Sequence, residues 1–389
     1  MTEAVIVSAV RTPIGTARKG SLSETKAETL ATHIIEEAVR RSGLPATAFE
    51  DVMMAESGYG GGDLARHAAV AAGMTQVPGQ AVNRHCAGSL TTVGNAAASI
   101  IAGMDKAVIA GGVQASSMSP TNTWRIPGSD ETWQGGAPTF PFTDDANDDV
   151  TMTVGWNVAN KYNVSREQMD EWALRSHQRA IAAIDAGVFD DEIAPLKVTL
   201  KDGSVTEFAV DEHPRRGSTI EKLASLKGLH PEIEGFSITA GNASGINDAA
   251  AALALTSGEL AAEHGLTRLG TVKAWAAMGV EPRYTGEGAI MAALKVLERA
   301  GLSAKDINLW EINEAFASVP VAACKELGLD EELVNIYGSG CSLGHPVAAS
   351  GARMLATLTH ELRRRGGGIG VATMCAGGGQ GGAVLIEVS

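Results

Sequence analysis

Cys86, His345, Cys375 and Asn313 stand in four separate stretches of the 389-residue chain, and their side-chain types suit nucleophilic chemistry at sulfur. Cys86 lies in Asn83-Arg84-His85-Cys86-Ala87-Gly88-Ser89-Leu90, directly before a helical pattern. Unpaired N–H groups and the macrodipole at a helix N-terminus favour a thiolate, which would draw the thiol below its reference pKa of about 8.5. A lone cysteine there is more often a small buried core residue. Three other stretches shift the balance toward chemistry. In Gly344-His345-Pro346, a neutral imidazole before a helix can take the proton of a nearby thiol. Cys375 ends a buried strand and runs into Gly377-Gly378-Gly379, whose bare backbone lets N–H groups approach a carbonyl oxygen closely. Asn313-Glu314-Ala315-Phe316-Ala317 puts an amide and a carboxylate at the C-terminal end of a strand, where sites of α/β proteins gather. Each stretch also has a plain reading: His345 a structural histidine, the glycines a flexible turn, Asn313 a helix cap.

The elements that must position these residues alternate between strand and helix. Val5-Ile6-Val7 reads as a strand and 27–42 as a helix with Leu30, Ile34 and Ala38 on one face. Further helices are predicted over 64–72, 89–102, 167–185, 288–301 and 348–365, and strands near 80–83, 107–110, 270–276, 307–312 and 369–374. Ser165 suits the N-cap of the fourth helix. Such alternation predicts a layered α/β fold with a mostly parallel sheet. Between Ser116 and Asp149 the pattern breaks into Pro, Gly, Asn, Thr and Asp, an excursion expected to be partly helical, and 192–231 is polar and loop-rich. One unit recurs. Cys86 precedes a helix that feeds the strand at 107–110, and His345 precedes a helix that feeds the strand at 369–374, so two similar halves would bring one reactive residue each to a shared cleft.

Composition narrows the field. A net charge of −14 argues against nucleic-acid or anionic-membrane binding, which needs a basic footprint. No segment supplies the uninterrupted apolar run of a membrane span, and Met1-Thr2-Glu3 lacks the flank of a signal peptide. The four cysteines (Cys86, Cys324, Cys341, Cys375) are too few for a disulfide framework and lack paired zinc spacing, so free thiols in a reducing, cytoplasmic setting are expected. Gly338-Ser339-Gly340 and Gly58-Tyr59-Gly60 do not complete the glycine fingerprint of a dinucleotide loop.

Taken together, the four stretches resemble the thiolase family, with Arg11-Thr12-Pro13-Ile14-Gly15, Thr239-Ala240-Gly241-Asn242-Ala243-Ser244-Gly245 and Ser350-Gly351-Ala352-Arg353 extending the likeness over almost the whole chain. The resemblance implies a thiolase-like layered α-β-α-β-α fold built from two similar halves with an inserted loop domain: 1–118 as the N-terminal half completed by about 236–265, 119–235 as the insert, and 266–389 as the C-terminal half. It implies that Cys86 attacks the 3-keto carbon of an acyl-CoA, that His345 activates it, and that Cys375 serves as acid and base. One oxyanion hole would come from His345 with a water held by Asn313, the other from the N–H groups of Cys86 and Gly377. Ser244 would meet the pantetheine arm and Arg215 the adenine and phosphate end, with Met152 and Phe316 lining the acyl pocket. Coenzyme A enters as co-substrate, with no permanently bound cofactor and no metal, in a homodimer or homotetramer.

Some positions depart from the family pattern. Tyr337-Gly338-Ser339-Gly340-Cys341-Ser342-Leu343 replaces a more apolar run, and Cys341 is read as a packing residue rather than a metal partner. Thr285 stands where a methionine near the acyl pocket is usual. The stretch after Ser117 lacks the His-rich basic loop of short-chain biosynthetic members, which favours a degradative 3-ketoacyl-CoA thiolase over acetoacetyl-CoA synthesis from two acetyl-CoA. A ketoacyl-synthase-type condensing enzyme would not carry Cys375, and a non-catalytic carrier on the same scaffold would be expected to have lost Cys86, His345 or Cys375.

Overall fold

The first apolar run forms strand β1 (Ala4–Arg11), buried along its whole length. The computed structural model describes residues 2–58, 62–135 and 149–389. In chain order β2 (Asp51–Ala55), β3 (Gly79–Val82), β4 (Ala107–Ala115), β5 (Asn247–Ser257), β6 (Gly270–Gly279), β7 (Leu309–Ile312), β8 (Gly368–Ala376) and β9 (Gln380–Val388) follow. They join in the order β7-β8-β9-β6-β1-β5-β4-β2-β3, and the short strand Gly15–Thr16 adds to β5.

This sheet is mixed, which corrects the expectation of a mostly parallel one. Only β2 with β3, β2 with β4, and β7 with β8 run parallel. Antiparallel pairs join β1 to β5 and β6, β5 to β4, and β9 to β6 and β8. The reason is connectivity: β9 turns straight back from β8, and β5 re-enters the sheet from the opposite end after a long excursion. β1 and β6 share only Ala4↔Val272, Val5↔Thr271 and Ile6↔Gly270, so the strands fall into two groups, one on each side of that seam.

The principal helices are α1 (Ala27–Ser42), α2 (Leu64–Ala71), α3 (Gly88–Ile101), α4 (Arg166–Asp185), α5 (Gly288–Ala300), α6 (Ser318–Leu327) and α7 (Ser350–Arg364). They sort into layers. Leu90, Val93 and Ala97 of α3 and Ala352, Leu355 and Leu358 of α7 share one buried cluster with residues of both strand groups. α1 and α2 cover the far face of the first group through Leu30, Ile34 and Leu64, and α5 and α6 cover the second through Ile290, Val296 and Val319. The result is the α-β-α-β-α layering, with α3 and α7 in the middle. Each fully buried Leu or Ile there contributes roughly 1.5–3 kcal/mol.

Close approach in that middle layer brings the two halves together. A Cβ on Gly351 would lie 2.7 Å from Leu90 N, and Ala352 N–H donates to Ser89 Oγ at 3.0 Å, so the first turns of α3 and α7 touch. Ser165 caps α4 in a reciprocal box with Gln168, as its sequence predicts. Within the excursion after β4 the described part holds a single 3₁₀ turn at Ser116–Met118 and an antiparallel ribbon of Thr123–Arg125 with Thr132–Gln134. The rest of the expected helical portion, 136–148, lies outside the described residues, as does Tyr59-Gly60 of the glycine-rich loop after β2.

Candidate active site

Cys86 sits in a tight turn, His85–Ala87, that leads directly into α3, and His345 precedes Pro346, whose carbonyl accepts the Ser350 N–H at 3.0 Å and starts the turn into α7. Cys375 occupies the end of β8, just before the glycine turn into β9. These three residues, with Gly377, Ser244 and Phe316, line one cavity of about 400 Å³. Ser57, Val150, Val154, Ala315 and Val347 complete much of its wall. His85 also faces it, from a left-handed backbone with φ 44°.

His345 is oriented from below. Ser350 Oγ donates to Pro346 O at 2.9 Å, so at its 2.7 Å contact with His345 Nδ1 it accepts. That fixes the proton on Nδ1 and leaves Nε2 as the basic nitrogen. Burial, with Arg353 adding positive charge, lowers the imidazole pKa to about 3, so the ring is neutral at physiological pH. Asn313 Nδ2 lies 3.4 Å from both ring nitrogens, while its Oδ1 is buried without a hydrogen-bond partner.

The thiols behave otherwise than the helix-terminus argument predicts. Burial raises Cys86 to about 11, outweighing the lowering by the Gly377 N–H and its own N–H. Cys86 therefore rests as a thiol, because desolvation of a charge next to a short turn exceeds what one helix end supplies. Burial pushes Cys375 up strongly, and nearby Cys86 pushes it further. At rest the cavity is thus lined by a neutral thiol and a neutral imidazole.

His345 depends on a residue the sequence reading did not single out. Asn247, at the start of β5, accepts the His345 N–H at 3.0 Å and donates to Gly15 O at 3.0 Å. Gly344 has φ 105°, and a Cβ there would fall 2.4 Å from Asn247 Cγ. Gly344→Ala should therefore cost about 2–4 kcal/mol of stability in urea unfolding. A loss below about 1 kcal/mol would show that the loop has room to yield.

Other motif residues hold the frame. The Glu314 carboxylate is saturated by Trp172 Nε1 (2.8 Å), Ser176 Oγ (2.6 Å), Asn335 Nδ2 (2.8 Å) and Cys341 N–H (3.1 Å), so it locks α4 against the site. Cys341 Sγ rests against the carbonyls of Glu314 and Asn242 at 3.6 and 3.7 Å. Arg11 is buried against Glu192 at 2.6 Å and Asp211 at 2.8 Å, which pins the segment between β4 and β5 onto β1. Two proposed substrate residues stand elsewhere. Met152 packs against the apolar cluster beside the cavity while Val150 and Val154 face into it. Arg215 is exposed and meets His177 through its backbone N–H; its neighbour Arg216 is committed to Asp185.

Residues 4–259 match the family described as thiolase, N-terminal domain, and residues 266–388 match thiolase, C-terminal domain. The chain belongs to the thiolase family. It is 38% identical over 398 residues to an acetyl-CoA acetyltransferase of Cupriavidus necator, covering 100% of both chains. It is 40% identical over 413 residues to a 3-oxoadipyl-CoA/3-oxo-5,6-dehydrosuberyl-CoA thiolase of Escherichia coli, again covering 100% of both. The crystal structure of the Bacillus anthracis acetyl-CoA acetyltransferase superposes with a TM-score of 0.91 at 38% identity, over 100% of this chain and 99% of that one. As a thiolase it is an acyltransferase that uses coenzyme A as a substrate, in thiolytic cleavage or the reverse condensation of acyl-CoA.

Proposed function

We propose that this thiolase cleaves 3-ketoacyl-CoA esters longer than acetoacetyl-CoA, with Cys86 as nucleophile, His345 as its base and Cys375 as acid and base. The observation that carries this reading is the convergence of two thiols and the neutral His345 imidazole on a single cavity whose remaining wall is largely apolar. Cys86 gives its proton to His345 Nε2 as its sulfur attacks the 3-keto carbon. The C2–C3 bond breaks, its electron pair passes to C2, and the Cys375 thiol protonates that carbon to release acetyl-CoA. A second coenzyme A then gives its thiol proton to the Cys375 thiolate and attacks the acyl carbonyl. The Cys86 sulfur leaves and recovers its proton from His345.

Two sets of donors support the developing oxyanions. The N–H groups of Cys86 and Gly377 converge on the sulfur of Cys86, where an acyl oxygen would lie beside them. Asn313, with Oδ1 unpartnered, suits a water that would join His345 at the other hole. Val150, Val154 and Phe316 offer the acyl chain apolar surface, Ser244 stands where the pantetheine arm would enter, and exposed Arg215 is left to meet the phosphate end.

An enzyme confined to two-carbon units would not need that apolar wall. Initial thiolysis rates on 3-ketoacyl-CoA esters of graded length test the point: the reading expects kcat/KM to rise beyond four carbons. Reaction with acetoacetyl-CoA alone would instead assign a biosynthetic acetyltransferase. We further place the enzyme in the cytoplasm as at least a homodimer. Its four cysteines are all free, which suits a reducing compartment, and edge strand β3 leaves Gln80 and Ala81 exposed for a second copy. No described helix is long and apolar enough to cross a membrane.

A further inference from the structure

The turn between β8 and β9 consists of Gly377, Gly378 and Gly379 and has no side chain of its own, yet Gly377 lines the cavity with Cys86 and its N–H acts on the Cys86 sulfur. Gly378 and Gly379 hold φ values of 81° and 76°, in the left-handed region. A glycine run is conformationally permissive, so groups outside the turn must select its shape. Two side chains do this. Gln380 Nε2 donates to Gly377 O at 3.1 Å. Thr285 Oγ1 donates to Pro282 O at 2.7 Å, and that orients its lone pairs to accept the Gly379 N–H at 3.0 Å.

Both backbone groups of Gly379 are thereby tied to one loop, because Gly379 O accepts the Val280 N–H at 2.7 Å. The fit is flush: a Cβ on Gly379 would lie 2.4 Å from Val280 O. Thr285 is 2% exposed, so water cannot stand in for its hydroxyl.

We propose that Thr285 is a positioning residue: its hydroxyl holds the triple-glycine turn in the one shape that aims the Gly377 N–H at Cys86. This rests on Cys86 being the nucleophile. The side chain itself does not line the cavity and acts through the turn. Without the hydroxyl, Gly379 N–H becomes a buried orphan, the turn relaxes, and the donor that favours thiolate and oxyanion drifts away.

Thr285→Val keeps the shape and removes the hydroxyl, while Thr285→Ser keeps the hydroxyl. For Val, kcat of thiolysis should fall about tenfold with KM changing far less, and the pH midpoint for alkylation of Cys86 by iodoacetamide, followed by peptide mass spectrometry, should rise by about half a unit or more. Serine should restore both. A Val variant that melts earlier but keeps kcat and the midpoint, or a Ser variant that restores neither, overturns the proposal. Should the Val variant fail to fold, Gln380→Met removes the other hold on the turn and must raise the same midpoint; an unchanged midpoint overturns it equally. Wild-type enzyme alkylated elsewhere than at Cys86 would overturn the nucleophile assignment instead.

Discussion

Cys86→Ala should abolish thiolysis, lowering the rate by about 10³-fold or more, and should eliminate the acetyl adduct that wild-type enzyme forms with acetyl-CoA. The size of the effect follows from the site's chemistry. Covalent catalysis splits one difficult acyl transfer into two, and no described neighbour can replace the lost sulfur: Cys375 is buried at the end of β8, and that burial keeps it protonated. Stability should change by no more than about 1 kcal/mol, because a small side chain at a cavity wall leaves little new void. Peptide mass spectrometry after brief incubation with acetyl-CoA decides the matter. A wild-type adduct at Cys324 or Cys341, with nothing at Cys86, would refute the assignment.

His345 should scale with it. His345 is neutral at physiological pH and Cys86 protonated, so on the proposed reading the proton has to leave the sulfur in the course of attack. Alkylation of resting Cys86 should therefore be slow near neutrality and accelerate as the pH climbs toward the thiol's raised pKa.

The local motifs were the most legible part of the chain. Cys86, His345, Cys375 and Gly377 could be placed together because each precedes or follows a periodic element, and that periodicity survives folding in α3, α7, β4 and β8. Strand direction was less legible. β5 carries alanines at 249–252, which have no preference for extended structure; it is a strand because β1 and β4 pair with both of its edges. The sign of the Cys86 shift was also hidden, since a helix terminus can be read from spacing but desolvation depends on what the other half of the molecule places above the sulfur. Asn247 gave no signal of its own: its reach to the His345 backbone crosses 98 residues of sequence. In the sequence Thr285 stands out only as a polar residue near the acyl pocket, and its two hydrogen bonds explain why a hydroxyl is tolerated there.

Cys375→Ser should separate the two halves of the reaction. Cleaving a carbon–carbon bond expels a carbanion-like fragment, which cannot leave unless an acid protonates it, and a serine hydroxyl is a far weaker acid than a thiol. Thiolysis of 3-ketoacyl-CoA should fall by about 10²–10⁴-fold, the range expected for loss of a general acid. Acetyl transfer from acetyl-CoA onto Cys86 expels a thiolate instead. A thiol with a reference pKa of about 8.5 leaves without strong acid assistance, so adduct formation should slow much less. The variant should also lose wash-out of deuterium from the methyl group of deuterated acetyl-CoA, a step that needs a base at C2 and makes no demand on Cys86 acylation. Proportionate loss of thiolysis, adduct formation and wash-out would mean that Cys375 merely supports the cavity wall. Loss of the carbon chemistry alone would require the second sulfur to act as acid and base in the cavity that it lines with the first.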